Sequence, residues 1–136
     1  MMKLKELFAV ACLAASAFVG LSLISANLAA AETIAKGTFF GQSNHVTTGI
    51  AVIEKDGDKT LLILGDDFSL DGAPAPTIGF SSGGTFDKAT EFTKLQKLTG
   101  RQIYEMPATI DVSKYDQVTI WCADFSVPLG SADLKR

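Results

Sequence analysis

The chain has 136 residues, a formal net charge of −3, and 47% hydrophobic residues. These values fit one domain with its own core, and the mild acidity disfavours nucleic acid and anionic membrane as partners. The segment 1–31 begins with lysines, continues as an apolar stretch and ends in three alanines. This order predicts a signal peptide and export to the periplasm or the extracellular space, with no membrane span after cleavage. A retained membrane anchor is the alternative interpretation.

Cleavage after Ala31 leaves a single mature domain at 32–136. It removes two of the 12 basic and one of the 15 acidic residues, which leaves 10 against 14 and a net charge of about −4. It also removes Cys12, so Cys122 becomes the single cysteine and no disulfide can form within the chain. A lone cysteine in an oxidising compartment is buried and inert, joined to another chain, or used chemically.

Short β-favouring runs follow one another from the start of the mature chain. The first is 37–40, and the second is 45–53, where Gly49 indicates a bulge or a close backbone approach. Asp-Gly at 56–57 predicts a hairpin. The returning strand at 60–64 is apolar throughout its centre, which indicates burial on both faces.

The second half of the chain continues in the same way. Strands are expected at 77–81, at 102–106 and from Val118 onward, and Asp111 is expected to cap one helical turn. The apolar spacing in 92–98 suits a short helical turn, although that segment could also be extended. The pattern predicts an all-β domain: an antiparallel β-sandwich or a partly open β-barrel with one or two short helical turns.

Cys122 lies in a strand beside Trp121, the only tryptophan. Alternation along this strand predicts that Cys122 faces the core, mostly shielded, while Trp121 packs on the opposite side. The other weak cofactor-binding candidates are His45, the only histidine, and Met106. Either of them, or Cys122, could be an axial ligand of a haem.

Other chemistry has less support in the sequence. A Cys122–His45 nucleophilic pair is formally available, yet no third residue is seen that would orient it. One cysteine and one histidine do not complete a zinc site without carboxylates. Three aspartates at 66, 67 and 71 could attract calcium, but their spacing fits no EF-hand. No metal site is predicted.

Three segments of the chain are similar to the DM-thirteen domain family, described as an electron-transfer domain. They are GTFFGQSNHVTTGIAVI at 37–53, DDFSLDGAPAP at 66–76, and GRQIYEMPATIDVSKYDQVTIWCADFSVPLGSADL at 100–134. The last segment, with tyrosine before an apolar Trp-Cys strand, is the most specific. The family often has Gly-Pro-Asp in the middle loop, where this chain has Ala-Pro-Ala-Pro at 73–76.

The resemblance implies a mostly β domain whose signature cysteine, here Cys122, does redox work as a free thiol or as the ligand of a prosthetic group such as haem. Its electron partners would then be separate redox proteins. The rival hypothesis is a non-enzymatic module that binds a protein or glycan at the cell surface or in the periplasm, with Cys122 as a core residue. Both hypotheses leave enzymatic activity open.

Overall fold

A computed structural model describes residues 30–136, so the predicted signal peptide lies outside the described residues except for its last two positions. In the described part, no helix is long and apolar enough to cross a membrane. The regular elements are two single 3₁₀ turns, at Lys88–Thr90 and Val112–Lys114, and eleven strands: β1 (Glu32–Gly41), β2 (Thr47–Thr48), β3 (Ile50–Asp56), β4 (Lys59–Leu64), β5 (Ser69–Leu70), β6 (Pro76–Ser82), β7 (Thr85–Asp87), β8 (Thr93–Lys94), β9 (Gln102–Glu105), β10 (Gln117–Cys122) and β11 (Val127–Asp133).

Nine strands form one antiparallel sheet that curls into an open half-barrel. The order across it is β7, β6, β10, β11, β1, β3, β4 and β9, and β8 pairs only with β6. Strands β2 and β5 form a separate two-stranded ribbon. The all-β prediction is confirmed, and the partly open barrel is the architecture observed.

The inner face of the curled sheet supplies the core. In β10, Val118, Ile120 and Cys122 belong to one cluster of buried residues, as their alternation predicts. The centre of β4, Leu62 to Leu64, is also buried without alternation, which confirms burial on both faces. The hairpin predicted at 56–57 joins β3 to β4.

Strand β11 was missed by the sequence analysis because Pro128 and Gly130 interrupt a strand pattern. Pro128 pairs with Trp121 of β10, but pairing of β11 with β1 begins only at Gly130. At Pro128 there is therefore no β1 partner for the backbone N–H that proline lacks. Of the two alternatives for 92–98, the extended one is observed, with β8 inside it.

Only one of the two 3₁₀ turns was predicted from the sequence. The turn at Val112–Lys114 is capped by the Asp111 side chain, which confirms that prediction. The turn at Lys88–Thr90 was not predicted. Asp87 caps it in the same way, because its carboxylate accepts a hydrogen bond from the Ala89 amide.

The register of the strands gives the sheet two distinct ends. At the "Cys122 end", the turn Gln42–His45, the segment Asp71–Pro76 and the turn Ala123–Ser126 come together. At the "hairpin end" lie the β3–β4 turn and Met106, whose amide donates to Thr60 O. The ten-residue strand β1 runs from one end to the other, which corresponds to roughly 30 Å of strand.

Gly130 is the point at which β11 packs against the β2 ribbon. A Cβ at this position would lie 2.5 Å from Thr47 Cβ, and both residues are buried. Thr47 cannot move away freely because its hydroxyl donates to Leu129 O at 2.9 Å. We expect Gly130→Ala to lower the free energy of unfolding by roughly 1–3 kcal/mol, measured by urea unfolding. An unchanged value would contradict this tight packing.

Candidate functional site

Cys122 is the last residue of β10, and its thiol is shielded from solvent. The side chain is 1% exposed, and Sγ donates a hydrogen bond to Pro74 O at 3.2 Å. On either side of it in the sheet are Pro76 at the start of β6 and Val127 at the start of β11. The prediction that Cys122 faces the core is confirmed.

Two turns with unusual backbone conformations adjoin Cys122. The Ala123 amide donates to Ala75 O at 3.3 Å, and the Ser126 amide donates to Cys122 O at 2.8 Å. Ala75 and Ser126 have φ values of 49° and 53°, in the left-handed region that favours glycine. The backbone on both sides of the thiol is therefore strained.

All four non-glycine residues with positive φ in the described part of the chain lie at the Cys122 end. The other two are Ser43 and Asn44, with φ values of 54° and 64°, in the turn that leads to His45. A side chain in this region costs roughly 1–2 kcal/mol, and asparagine tolerates it best. Such strain concentrates where a protein has a function to perform. The Cys122 end is therefore the candidate functional site.

His45 lies at the same end and is held by Asp71. Its Nδ1 is 2.9 Å from Asp71 Oδ1, and Asp71 Oδ2 accepts the Val46 amide at 3.0 Å. Because a carboxylate only accepts, Nδ1 of His45 is the donor in this contact. The hydrogen bonds from the Val46 amide and the His45 ring hold the pKa of Asp71 below its ordinary value of 3.8.

The turn before His45 is anchored to the sheet by a row of buried hydroxyl groups. Thr119 bonds to Ser81 at 2.6 Å and to Ser131 at 2.9 Å, and Ser131 donates to Gln42 Oε1 at 2.6 Å. The His45 amide then donates to Gln42 O. Each hydroxyl donates toward Gln42, because the amide oxygen at the end of the row only accepts. The row fixes the turn, and the turn places His45.

His45 and Cys122 share a segment rather than a contact. Asp71 binds His45, and Pro74, three residues later, accepts the Cys122 thiol. Within residues 30–136 no hydrogen bond joins the histidine to the cysteine, so the nucleophilic pair is not formed. Asp71 is the orienting residue that the sequence analysis missed, since it lies 26 positions from His45 and no local spacing connects them.

Met106 does not take part in this site. It is buried at the hairpin end, so Met106 and Cys122 cannot ligate one group.

The aspartates at 66, 67 and 71 do not converge on one point, and two of them have different hydrogen-bond partners. Asp67 accepts the Ile50 amide and Asp71 binds His45, and the described part holds no group of three metal-ligating side chains.

A haem does not fit at Cys122 in this arrangement. The sulfur lies against Pro74 O, and an iron could reach it only after displacement of the segment Asp71–Pro76. A groove of about 800 Å³ lies at the hairpin end. Met106 is among the residues that line it, and Cys122 is not. The geometry of the site is that of a covered thiol.

Trp121 packs on the outer face of the sheet, as predicted. Its ring stacks on Phe86 with centroids 4.3 Å apart and planes 10° apart. Phe86 in turn covers Gly79 of β6, where a Cβ would lie 2.7 Å from the ring. The stack fixes the outer side of β10 behind the thiol.

Ala75→Gly tests the strain next to Cys122. Glycine adopts a φ of 49° without the clash of a Cβ, so we expect the free energy of unfolding to rise by up to about 1 kcal/mol. Ala123→Gly is the matched control, because Ala123 is exposed in the adjoining turn without a positive φ, and it should lose about 0.4–1 kcal/mol. Equal losses in urea unfolding would contradict the strain at Ala75.

Asp71→Asn tests the contact that holds the segment. A carboxyl whose pKa is lowered in the folded state stabilises the protein at pH values above its ordinary pKa of 3.8, and this stabilisation is lost as pH falls through the lowered value. Asparagine does not titrate. The urea midpoints of wild type and Asp71→Asn should therefore converge between about pH 5 and pH 2. A difference that stays constant over this range would contradict the role of the Asp71 charge.

A match to a known protein family covers nearly the whole described domain. A family model described as Electron transfer DM13 matches residues 39–134, which includes the turn before His45, the segment Asp71–Pro76 and the Cys122 strand. No curated protein and no solved structure matches the chain significantly. The match spans well over half of the sequence, and the chain therefore belongs to the DM13 family of electron-transfer domains.

Proposed function

We propose that this domain exchanges electrons through the free thiol of Cys122, and not through a haem bound to it. The observation that carries the proposal is the position of the thiol, buried at the end of a central strand with strained turns on both sides. A cysteine that only fills the core does not require such turns. Membership of the electron-transfer family supports a redox role in general.

The proposed chemistry requires that Cys122 become accessible. The covering segment Asp71–Pro76 begins beside Gly72, whose φ of 113° only glycine adopts readily, and this glycine is the natural hinge. Hydrogen bonds retain the segment at its two ends. At the first end, Asp71 binds the His45 ring through its side chain and the Val46 backbone through both its side chain and its amide. At the other end, the carbonyls of residues 74, 75 and 76 accept from the thiol of Cys122 and from the amides of Ala123 and Leu95. In this proposal His45 is a positioning residue, because it acts on the cover and not on the sulfur.

The reaction that suits a single thiol is exchange with a disulfide. The Cys122 sulfur, after loss of its proton, attacks one sulfur of a partner's disulfide; a new S–S bond forms, the partner's S–S bond breaks, and the released partner thiolate takes up a proton. A second thiol then frees Cys122 in the same way. The cysteine is transiently oxidised as the partner is reduced.

The predicted signal peptide is consistent with this chemistry. Export would bring the domain into the periplasm or the extracellular space, where disulfides persist and redox partners carry them. The partner in this proposal is a separate protein with an accessible disulfide.

The test is capture of the mixed disulfide under native conditions with a small chromogenic disulfide. The protein used is the exported form without 1–31, which therefore lacks Cys12. We expect one equivalent of label on wild type, detected by mass, and none on Cys122→Ser. The serine hydroxyl can still donate toward Pro74 O, so this variant should remain folded and lose roughly 1–2 kcal/mol of unfolding free energy.

Asp71→Ala should label several-fold faster because it releases the cover, whereas Asp58→Ala at the hairpin end is the control and should label at the wild-type rate. Absence of labelling in the native protein would leave Cys122 as a core residue and favour the binding module. A Soret band after expression with haem available would instead support haem ligation and overturn the free-thiol proposal.

A further inference from the structure

β9 forms one edge of the large sheet, where it pairs only with β4. The Met106 amide donates to Thr60 O, and hydrogen-bonded pairs in an antiparallel ladder recur at every second residue. Tyr104 and Gln102 therefore also direct their backbone groups toward β4.

The backbone groups of the odd-numbered residues point the other way. By this alternation the N–H and C=O of Arg101, Ile103 and Glu105 face outward from the edge, where no strand of residues 30–136 pairs with β9. Their side chains share one exposed face, and Ile103 is 51% exposed between two opposite charges. The edge therefore carries a positive charge two residues before Ile103 and a negative charge two residues after it.

We propose that a second copy of this chain pairs with β9 in antiparallel fashion, about a two-fold axis at Ile103. Ile103 then lies opposite its own counterpart, and Arg101 of each copy lies opposite Glu105 of the other. Each facing pair exchanges both of its free backbone hydrogen bonds, so one sheet continues through both molecules. This inference is independent of the redox proposal, since it uses no residue of the Cys122 end.

Backbone parity and charge select this register. A shift by one residue would place the free groups opposite groups that already bond to β4, so only shifts by two are compatible. A shift by two in one direction places Pro107, which has no N–H, opposite Arg101. A shift by two in the other direction places Arg101 opposite Ile103 and separates the charges.

The expected association is weak. Charges on an edge strand normally discourage further pairing, but opposite charges that meet across a two-fold axis attract each other. Within one copy, Lys59 Nζ lies 3.4 Å from Glu105 Oε2 in an exposed ion pair. This pair is too weak to keep Glu105 from pairing with Arg101 of the second copy. A pairing of three residues per strand buries much less than the roughly 1,200–2,000 Å² of a stable interface, so the dimer should depend on protein concentration and salt.

The primary test is sedimentation equilibrium of the protein in low salt with reductant, which excludes disulfide dimers. We expect a monomer–dimer equilibrium, and we expect the amides of Ile103 and Glu105 to gain hydrogen-exchange protection as concentration rises. Ile103→Pro removes only an outward N–H, so it should fold and raise the dissociation constant at least about tenfold. A monomer at every concentration would overturn the proposal.

Charge reversal gives a second test that does not depend on proline. Arg101→Glu places like charges opposite each other and should weaken the dimer, and Arg101→Glu combined with Glu105→Arg should restore it. Phe125→Lys, at the Cys122 end, is the control and should leave association unchanged. Failure of the double variant to recover, or loss of the dimer in the control alone, would show that another surface associates.

Discussion

The hydrogen bond from the Cys122 thiol to Pro74 O determines how the site can act. Pro74 and Pro76 have no backbone N–H, so these two residues of the segment 71–76 cannot donate a hydrogen bond to a neighbouring strand. The segment is held at its first residue, where Asp71 binds His45 and Val46, and at residues 74–76, whose carbonyls accept from Cys122, Ala123 and Leu95. The cover over Cys122 is therefore a strap that is anchored at both ends, while Gly72 and Ala73 between the anchors make no hydrogen bond within residues 30–136.

The sheet and the strap contribute opposite properties. β10 lies between β6 and β11, is packed on both faces, and holds the cysteine at a fixed position. The buried hydroxyl row extends that rigidity to Gln42 and so to the turn that carries His45. The strap has backbone strain at Ala75 and a hinge glycine at 72. A fixed thiol beneath a cover that is anchored by hydrogen bonds only at its two ends is suited to controlled access rather than to permanent exposure.

Local patterns predicted much of this arrangement. Strict alternation gave the burial of Cys122 and the opposite orientation of Trp121, and an Asp-Gly pair gave the hairpin, because both depend on neighbouring residues alone. The pair of His45 with Asp71 could not be predicted, since only the folded sheet brings these positions together. β11 was hidden because the proline that argues against a strand pairs at a point where β1 does not extend.

The rate at which Cys122 reacts with a small disulfide measures directly how accessible its thiol becomes in the folded protein. The rate should be compared with the rate of global unfolding in the same buffer, over a range of reagent concentrations. We expect a reaction at least about tenfold faster than unfolding, because only the strap has to open. A thiol that reacts no faster than the whole domain unfolds would contradict this expectation.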